Sequence, residues 1–273
     1  DALPISIFNK LYKSLFANYN LIYQLTKRDI LQRYRGSTVG LAWSVITPLI
    51  MLALYTFVFS YVFQARWGKG EELPRDMYAL ILYTGMILHA QLAECLNRTP
   101  GLMQNNSNYV KKVVFPLESL IWVIVGSATF QAGIGFVLLV IAKVIITHSI
   151  SLNILYLFPL IIPFIFLLAG ISWIISAIGV YFKDVIHLTG ILTAMLMFAS
   201  PILYPVSMLP ERLQTIIYLN PLTYFIEEFR NVLIYGNHPN YLHYIISLVS
   251  TFAIAALGLI IFDRTKKGFA DVI

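Results

Sequence analysis

The sequence has few charged residues: Asp, Glu, Lys and Arg make up 12% of its 273 residues, whereas 59% are hydrophobic. A soluble domain usually carries about 25% charged residues, because its surface must be solvated. This shortage excludes an ordinary soluble globular protein and indicates that most of the surface meets lipid. The single cysteine, Cys95, excludes an internal disulfide bond.

Signatures of catalysis are also missing. No glycine-rich loop ends in Gly-Lys-Ser/Thr, and the nearest match, Gly68-Lys69-Gly70, has neither the spacing nor the hydroxyl of a phosphate-binding loop. The five histidines show no paired spacing with cysteine or carboxylate, so no metal site is predicted. We therefore expect a chain that is not an enzyme, does not hydrolyse ATP by itself and binds no cofactor.

Long apolar runs are what the sequence has in abundance. Residues 39–63 form a run of 25 residues without a charge, and about 20 apolar residues in a helix cross a bilayer core. Residues 206–235 are too polar to cross lipid and too apolar for a free loop, which predicts a re-entrant pair of short helices. The pattern predicts an all-α integral membrane protein with six transmembrane helices, at about 39–63, 77–96, 120–142, 155–180, 186–204 and 241–262.

The first 36 residues have the pattern of an amphipathic interface helix that precedes the membrane domain, 37–263. Apolar residues recur at steps of three and four, which places them on one stripe of a helix. We interpret the segment as a helix in the headgroup layer; an amphipathic helix packed on a soluble domain is the alternative. The stripe consists of Phe8, Leu11, Leu15, Tyr19, Ile22 and Leu25.

Lysine and arginine are distributed unevenly between the two sides of the predicted bundle. The amino-terminal segment, residues 97–118, the turn 181–185 and the tail 264–273 hold 13 of them, and the alternate segments hold 6. Positive loops stay in the cytoplasm. Both termini and the long loop 97–116 are therefore expected to be cytoplasmic, and the short helices 206–235 to face outward.

Charges close to the spans are candidates for function. Glu94 precedes Arg98 by four residues, which favours a helix-end ion pair over a catalytic or transport role. Asp184 follows the fourth span in a tight turn. We expect it to cap the following helix or to contact a partner rather than to act as a base.

Aromatic residues make up 14% of the sequence. Tyr55, Phe59 and Phe63 share one stripe of the first span, and Trp43 lies near its inner end. Aromatic faces can stack on sugar rings, so we interpret Trp43, Tyr55 and Phe59 as candidates for lining the path of a glycan. A lipid-facing aromatic belt at the membrane interfaces is the alternative.

Five segments, taken in order, resemble the membrane subunit of type-2 polysaccharide ABC exporters, the permeases for O-antigen, capsule and teichoic acid chains. The similarity covers nearly the whole chain. Lys183 stands where members of this family often carry arginine, which keeps the charge but loses the bidentate geometry. The segments are QRYRGSTVGLAWSVITPLIML, KKVVFPLESL, YFKDV, SPILYP and NPLTYFIEEFRNVLIYG.

The resemblance implies a homodimeric channel in the bacterial cytoplasmic membrane, with two copies of a separate ATPase subunit that bind ATP and Mg. It implies a polyprenyl-pyrophosphate-linked glycan as substrate, membrane lipid as surroundings and no nucleic acid partner. The loop 97–116 would hold a coupling helix that docks on the ATPase. The expected coupling residues are Arg33, Arg35, Asn105, Asn106, Tyr109, Lys111, Lys112, Lys183 and Asp184.

Two further sets of residues, a gate and a basic cluster, complete the expected functional site. The resemblance assigns residues 206–235 to a periplasmic gate, with Pro205, Asn220 and Pro221 as its breakers. Arginine and lysine suit phosphate, so the basic cluster before the first span is a candidate pyrophosphate site, with anchoring to anionic lipid as the alternative. That cluster consists of Lys27, Arg28, Arg33 and Arg35.

Two rival functions stay open. One is a membrane-embedded enzyme that acts on lipid-linked sugars with Glu94 or Asp184 as base, although no acid and base are clustered. The other is a type-2 exporter of a smaller lipid or drug.

Overall fold

The protein is described from a computed structural model that covers residues 10–62, 75–111, 115–149 and 151–273. Phe8, Phe63 and Lys112, each part of a predicted set, lie outside these ranges. Every regular element within them is helical. The helices are α1 (Tyr19–Arg33), α2 (Trp43–Tyr55), α3 (Arg75–Arg98), α4 (Leu102–Asn105), α5 (Ser107–Val110), α6 (Ser119–Thr147), α7 (Leu157–Tyr181), α8 (Val185–Phe198), α9 (Glu211–Tyr218), α10 (Pro221–Leu233), α11 (Tyr241–Thr265) and α12 (Phe269–Val272).

Five helical segments of the described chain are long and apolar enough to cross a membrane. The first includes a 3₁₀ turn before α2 and a π-helical stretch after it, and the last continues through α12. These segments confirm the all-helical membrane class. They are Gly40–Val62, Met77–Arg98, Ser119–Thr147, Leu152–Tyr181 and Tyr241–Val272.

The segment predicted as the fifth span, 186–204, forms a shorter helix than expected. α8 has 14 residues, which is about 21 Å at 1.5 Å per residue. Pro201 lacks a backbone N–H and disfavours helical backbone at Ser200 before it. The chain is therefore irregular over 199–205, where Ser200 and Ile202 are fully buried.

The predicted amino-terminal helix is interrupted. A π-helical stretch, Lys13–Ala17, ends at Asn18 before α1 begins. The wider turn rotates the later residues around the axis, so Tyr19 of the predicted stripe is exposed. Leu11 and Ile22 of the same stripe are buried. α1 packs against α6, which places this segment on the bundle.

The most extensive helix pair is α7 with α11. Gly170 and Gly258 face each other so closely that a Cβ added at Gly258 would lie 2.3 Å from the Gly170 carbonyl oxygen. In membranes, small residues let helix backbones approach where side-chain burial alone gives no driving force. This contact holds the fourth long segment against the last one.

The chain end, 264–273, predicted as a basic tail, is helical and packs on the bundle. Phe269 is fully buried, with its ring 5.4 Å from that of Phe262 and 6.1 Å from that of Tyr181. Lys266 pairs with Glu118 at 3.0 Å, which links this end to the start of α6.

The predicted pair of short helices around residue 220 is present as α9 and α10. The Asn220 side chain accepts a hydrogen bond from the Leu222 backbone N–H at 3.0 Å, and Pro221 occupies the first helical position. Both are typical of a helix start. Asn220 also donates to the Ser200 hydroxyl at 2.8 Å, which ties the helix start to the irregular segment after α8.

Candidate functional site at the charged end of the bundle

An ionic cluster joins α1 to α3. Glu94 accepts a hydrogen bond from Arg98 at 2.9 Å and a second one from Arg33 of α1. Arg98 also donates to Asp29 at 2.6 Å and to the Ser127 hydroxyl of α6 at 3.0 Å. We call Asp29, Arg33, Glu94 and Arg98 the ionic clamp. It connects three helices at the end of the bundle that carries most basic residues.

The predicted helix-end pair of Glu94 and Arg98 is confirmed, but sequence reasoning missed its two partners on α1. The available signal was the four-residue step from Asp29 to Arg33, which places both on one helix face. The four side chains are partly exposed, so water screens each pair less than a fully solvated one, and each pair costs less desolvation than a buried one. Because two guanidinium groups hold the Glu94 carboxylate, its geometry does not suit a general base.

A polar cavity of about 520 Å³ lies beside the ionic clamp, between α1, the loop with α4 and α5, and α6. Its lining joins Arg28, a predicted pyrophosphate ligand, to Asn105, Asn106 and Tyr109, predicted for ATPase coupling. The structure thus brings one residue of the predicted pyrophosphate set together with three of the predicted coupling set. We call this space the polar cavity.

The loop that holds α4 and α5 is fixed to the end of α7. Gln104 donates to the Gly179 carbonyl oxygen at 2.9 Å. A Cβ at Gly179 would lie 2.4 Å from the Pro100 carbonyl oxygen. The loop backbone therefore touches the α7 backbone directly.

The remaining basic candidates lie on the surface. Lys27, Arg35, Lys111 and Lys183 are exposed and stand outside the ionic clamp. Asp184 occupies the N-cap position of α8, but its side chain makes no capping hydrogen bond, so the capping prediction is wrong and contact with a partner stays a prediction. The backbone carbonyl of Asp184 instead accepts from His187 at 3.0 Å, which starts the helix without help from the carboxylate.

The predicted channel aromatics separate into two places. Tyr55 lies 6.4 Å from Tyr83 and Phe59 lies 5.8 Å from Tyr78, measured between ring centroids, so both meet tyrosines of α3. Trp43 is exposed near the start of α2. The sequence pattern found the stripe on the first span but not the tyrosines that it faces.

Sequence reasoning missed a buried cation in the candidate gate. Arg230 of α10 is 2% exposed and donates to the carbonyl oxygens of Ile81 at 3.0 Å, Pro201 at 2.5 Å and Ile202 at 2.9 Å. It also pairs with Glu227 at 3.3 Å. These bonds fasten α10 to α3 and to the irregular segment after α8.

The buried position of Arg230 had a readable signal. Ile226, Phe229 and Leu233 lie four, one and three residues away and are fully buried, so Arg230 shares the apolar face of its helix. A second buried cation supports the same helix, since Lys143 of α6 donates to the Leu233 carbonyl oxygen at 2.7 Å. Arg230 and Lys143 thus attach α10 of the predicted gate to α3, to the segment after α8 and to α6.

The family of the chain follows from comparison with known proteins. The sequence profile described as ABC-2 type transporter matches residues 20–234, which is most of the chain and includes the ionic clamp, the polar cavity and α10. This chain belongs to the ABC-2 type transporter family. It is a multi-pass membrane protein, consistent with its five long apolar helices.

Three relatives show which members of the ABC-2 family the chain resembles. An O-antigen export system permease protein RfbA of Klebsiella pneumoniae is 28% identical, over 93% of this chain and 95% of the relative. RfbA of Myxococcus xanthus is 22% identical over 97% and 99%. The polysialic acid transport protein KpsM of Escherichia coli is 23% identical over 77% and 79%. These relatives are named as transport proteins rather than enzymes.

Proposed function

We propose that this chain is the channel-forming permease subunit of an ABC exporter that moves a lipid-linked polysaccharide of the O-antigen type across a bacterial inner membrane. The observation that carries the proposal is the similarity to O-antigen export permeases over 93% of the chain. The absence of a phosphate-binding loop in the sequence fits a subunit whose ATP hydrolysis takes place in a partner.

In this proposal two copies of the chain form the channel and two ATPase subunits bind below it. α8 and residues 199–205 together form a sixth crossing, a proposal supported by the burial of Ser200 and Ile202, since irregular backbone at membrane depth must be shielded by protein. α9 and α10 form a re-entrant gate on the outer side. Lysine and arginine are more numerous in the predicted loops on one side of the bundle than in those on the other. This distribution supports cytoplasmic termini and a cytoplasmic loop 97–116.

The polar cavity receives the pyrophosphate of the lipid-linked substrate. Arg28 supplies a cation from α1, while Asn105 and Tyr109 bring polar groups from the coupling loop. A ligand in this cavity therefore contacts the same loop that docks on the ATPase. This arrangement supports a direct link between substrate binding and ATP hydrolysis.

The first test is complementation. In a strain whose own O-antigen permease gene is deleted, this chain and its ATPase should restore surface polysaccharide, detected by antibody on intact cells. The purified complex should hydrolyse ATP, and the chain alone should not alter a lipid-linked sugar. Restored resistance to small drugs without surface polysaccharide would favour the rival exporter, and turnover by the chain alone would favour the rival enzyme.

The second test separates substrate binding from membrane anchoring with two neighbouring cations. Both side chains are exposed, but Arg28 lines the polar cavity and Lys27 does not. We expect Arg28→Gln to lower export about tenfold or more, the loss of one charge-assisted contact, while Lys27→Gln leaves export near wild type. Equal effects of both variants would indicate anchoring to anionic lipid instead.

A further inference from the structure

A second cavity, of about 300 Å³, lies between α2, α3 and α6. It extends along α3 from Glu94 of the ionic clamp to Tyr83, three turns or about 16 Å further along the helix. Its walls are mostly apolar, with Met51 and Tyr55 on the α2 side. We call it the Gln91 cavity after the polar residue in its lining.

Small residues of α6 leave room for this cavity. Ala128 and Ala132 are one turn apart on the same face of α6 and form its third wall. A large side chain at either position would fill the space. The cavity is thus a consequence of local sequence rather than of a gap between loosely packed helices.

Gln91 supplies an acceptor without a protein partner. Its side chain is 2% exposed and its amide N–H donates to the Thr129 hydroxyl oxygen at 2.9 Å. Thr129 in turn donates to the Val125 carbonyl oxygen at 2.7 Å, which fixes the orientation of the Gln91 amide. The remaining atom, Gln91 Oε1, accepts no hydrogen bond from the described residues.

A buried carbonyl that lacks a donor costs about 1–3 kcal/mol, so a donor that enters the cavity, from water or from a ligand, would offset this cost. Three other polar groups of the wall already have hydrogen-bond partners: Tyr83 donates to the Pro48 carbonyl oxygen at 3.3 Å. Gln131 accepts from the Tyr34 hydroxyl at 3.1 Å and donates to the Ser44 carbonyl oxygen at 3.0 Å. Glu94 is bound to two guanidinium groups. The cavity therefore favours a neutral ligand with a hydroxyl donor.

The apolar walls of the Gln91 cavity further narrow the class of ligand that it can bind. The rings of Tyr55 and Tyr83 lie 6.4 Å apart, and Met51 adds a polarizable thioether that adapts to irregular shapes. Binding sites combine such apolar walls with a few placed polar groups that orient the ligand. A pyranose ring matches both features, because its faces carry C–H bonds and its edge carries hydroxyls.

We propose that the Gln91 cavity is a subsite for one sugar ring of the transported glycan, in which Gln91 Oε1 accepts a hydrogen bond from a ring hydroxyl. The inference rests on the proposed function, since it takes the substrate to be a polysaccharide. It adds a specific site, within one copy of the chain, to the path from the ionic clamp toward the middle of the bundle.

The test measures protection from chemical labelling. Met51 is partly exposed in the cavity wall, and Met51→Cys in a Cys95→Ala background provides one thiol for maleimide in the purified permease–ATPase complex. The probes are the methyl glycosides of glucose, mannose, galactose and N-acetylglucosamine. We expect at least one to slow labelling about threefold or more, as a ligand at twice its Kd does. No protection by any of the four would overturn the proposal.

Two variants distinguish a ligand contact from a structural one. Gln91→Met removes the free carbonyl and the bond to Thr129, whereas Thr129→Val removes that bond and the Thr129–Val125 bond but keeps the Gln91 carbonyl. We expect Gln91→Met to abolish protection and Thr129→Val to keep it. Protection that survives Gln91→Met would overturn the proposal, as would equal loss in both variants. If Gln91→Met fails to assemble with the ATPase, Ala132→Leu replaces it: filling the cavity should abolish protection, and protection that persists would refute the subsite.

The outcome is separable from that of complementation. If a methyl glycoside slows labelling but the chain does not restore surface polysaccharide, the sugar site is retained and the exporter function is rejected. Restored polysaccharide without protection would retain the exporter and reject the site.

Discussion

Arg230 carries a charge into a position that is 2% exposed, where an ion is stable only with several well-placed partners. Three backbone carbonyls and Glu227 supply them. The carbonyls belong to α3 and to the segment after α8, so one side chain joins three parts of the chain. The position could be predicted from the apolar face of α10, but its three carbonyl partners could not, because they lie 28 to 149 residues away.

We expect Arg230→Met to lower the free energy of unfolding by about 3 kcal/mol or more, because it leaves buried carbonyls without donors and Glu227 without its cation. The thermal unfolding midpoint of the purified chain in detergent measures this effect. Arg212 of α9 is exposed, so Arg212→Met should shift stability by about 0.5 kcal/mol or less. Similar unfolding midpoints for the two variants would show that the Arg230 side chain does not stabilise the fold.

The ionic clamp makes a second prediction for single residues. Glu94→Gln removes the carboxylate shared by Arg33 and Arg98, and we expect a loss of about 1 kcal/mol, since the groups are partly exposed. In a double-mutant cycle, Arg33→Gln should cost less in the Glu94→Gln background than alone. Glu211→Gln on the exposed start of α9 serves as control. Strict additivity of the first two changes would exclude a functioning pair.

Apolar runs and breakers predicted most helices but not all of their ends. The last long segment was expected to stop at 262 because the basic residues of DRTKKG follow, yet it continues to Val272. Of those basic residues, Lys266 pairs with the carboxylates of Asp263 and Glu118. The opposite occurred in α8, where residues 199–204 are apolar enough for a span but Pro201 ends the helix. Hydropathy predicts whether a segment lies in lipid or in water. It does not predict whether the backbone there is helical, which depends on residues such as proline.

The contact of α7 with α11 allows a prediction about an element pair. A methyl group at Gly258 would overlap the Gly170 backbone, so Gly258→Ala should destabilise the chain by about 1–3 kcal/mol. Gly133 of α6 has open space around its Cα, and Gly133→Ala should be neutral or slightly stabilising because alanine favours helix. Unfolding midpoints measure both, and an undisturbed Gly258→Ala variant would mean that the two helices do not pack as described.

Across the whole molecule, the sequence predicted the membrane class and the family but not the two cavities. Periodicity assigns a residue to a face of its own helix and leaves open which helix that face meets. Arg28 was thus predicted to bind the pyrophosphate and Asn105 to take part in ATPase coupling, although both residues line one cavity. The unpaired acceptor of Gln91 could not be predicted, because a lone glutamine in an apolar run has no sequence signature of a missing donor.

The central claim is that the charged end of the bundle faces the cytosol, where an ATPase drives export. Two exposed positions at opposite ends of the predicted topology test it: Asn105→Cys in the loop 97–116 and Leu219→Cys between α9 and α10, each in a Cys95→Ala background. With a membrane-impermeant maleimide on spheroplasts, we expect labelling of Leu219→Cys at once and of Asn105→Cys only after the membrane is opened. Labelling of Asn105→Cys in sealed spheroplasts, with Leu219→Cys protected, would contradict the account.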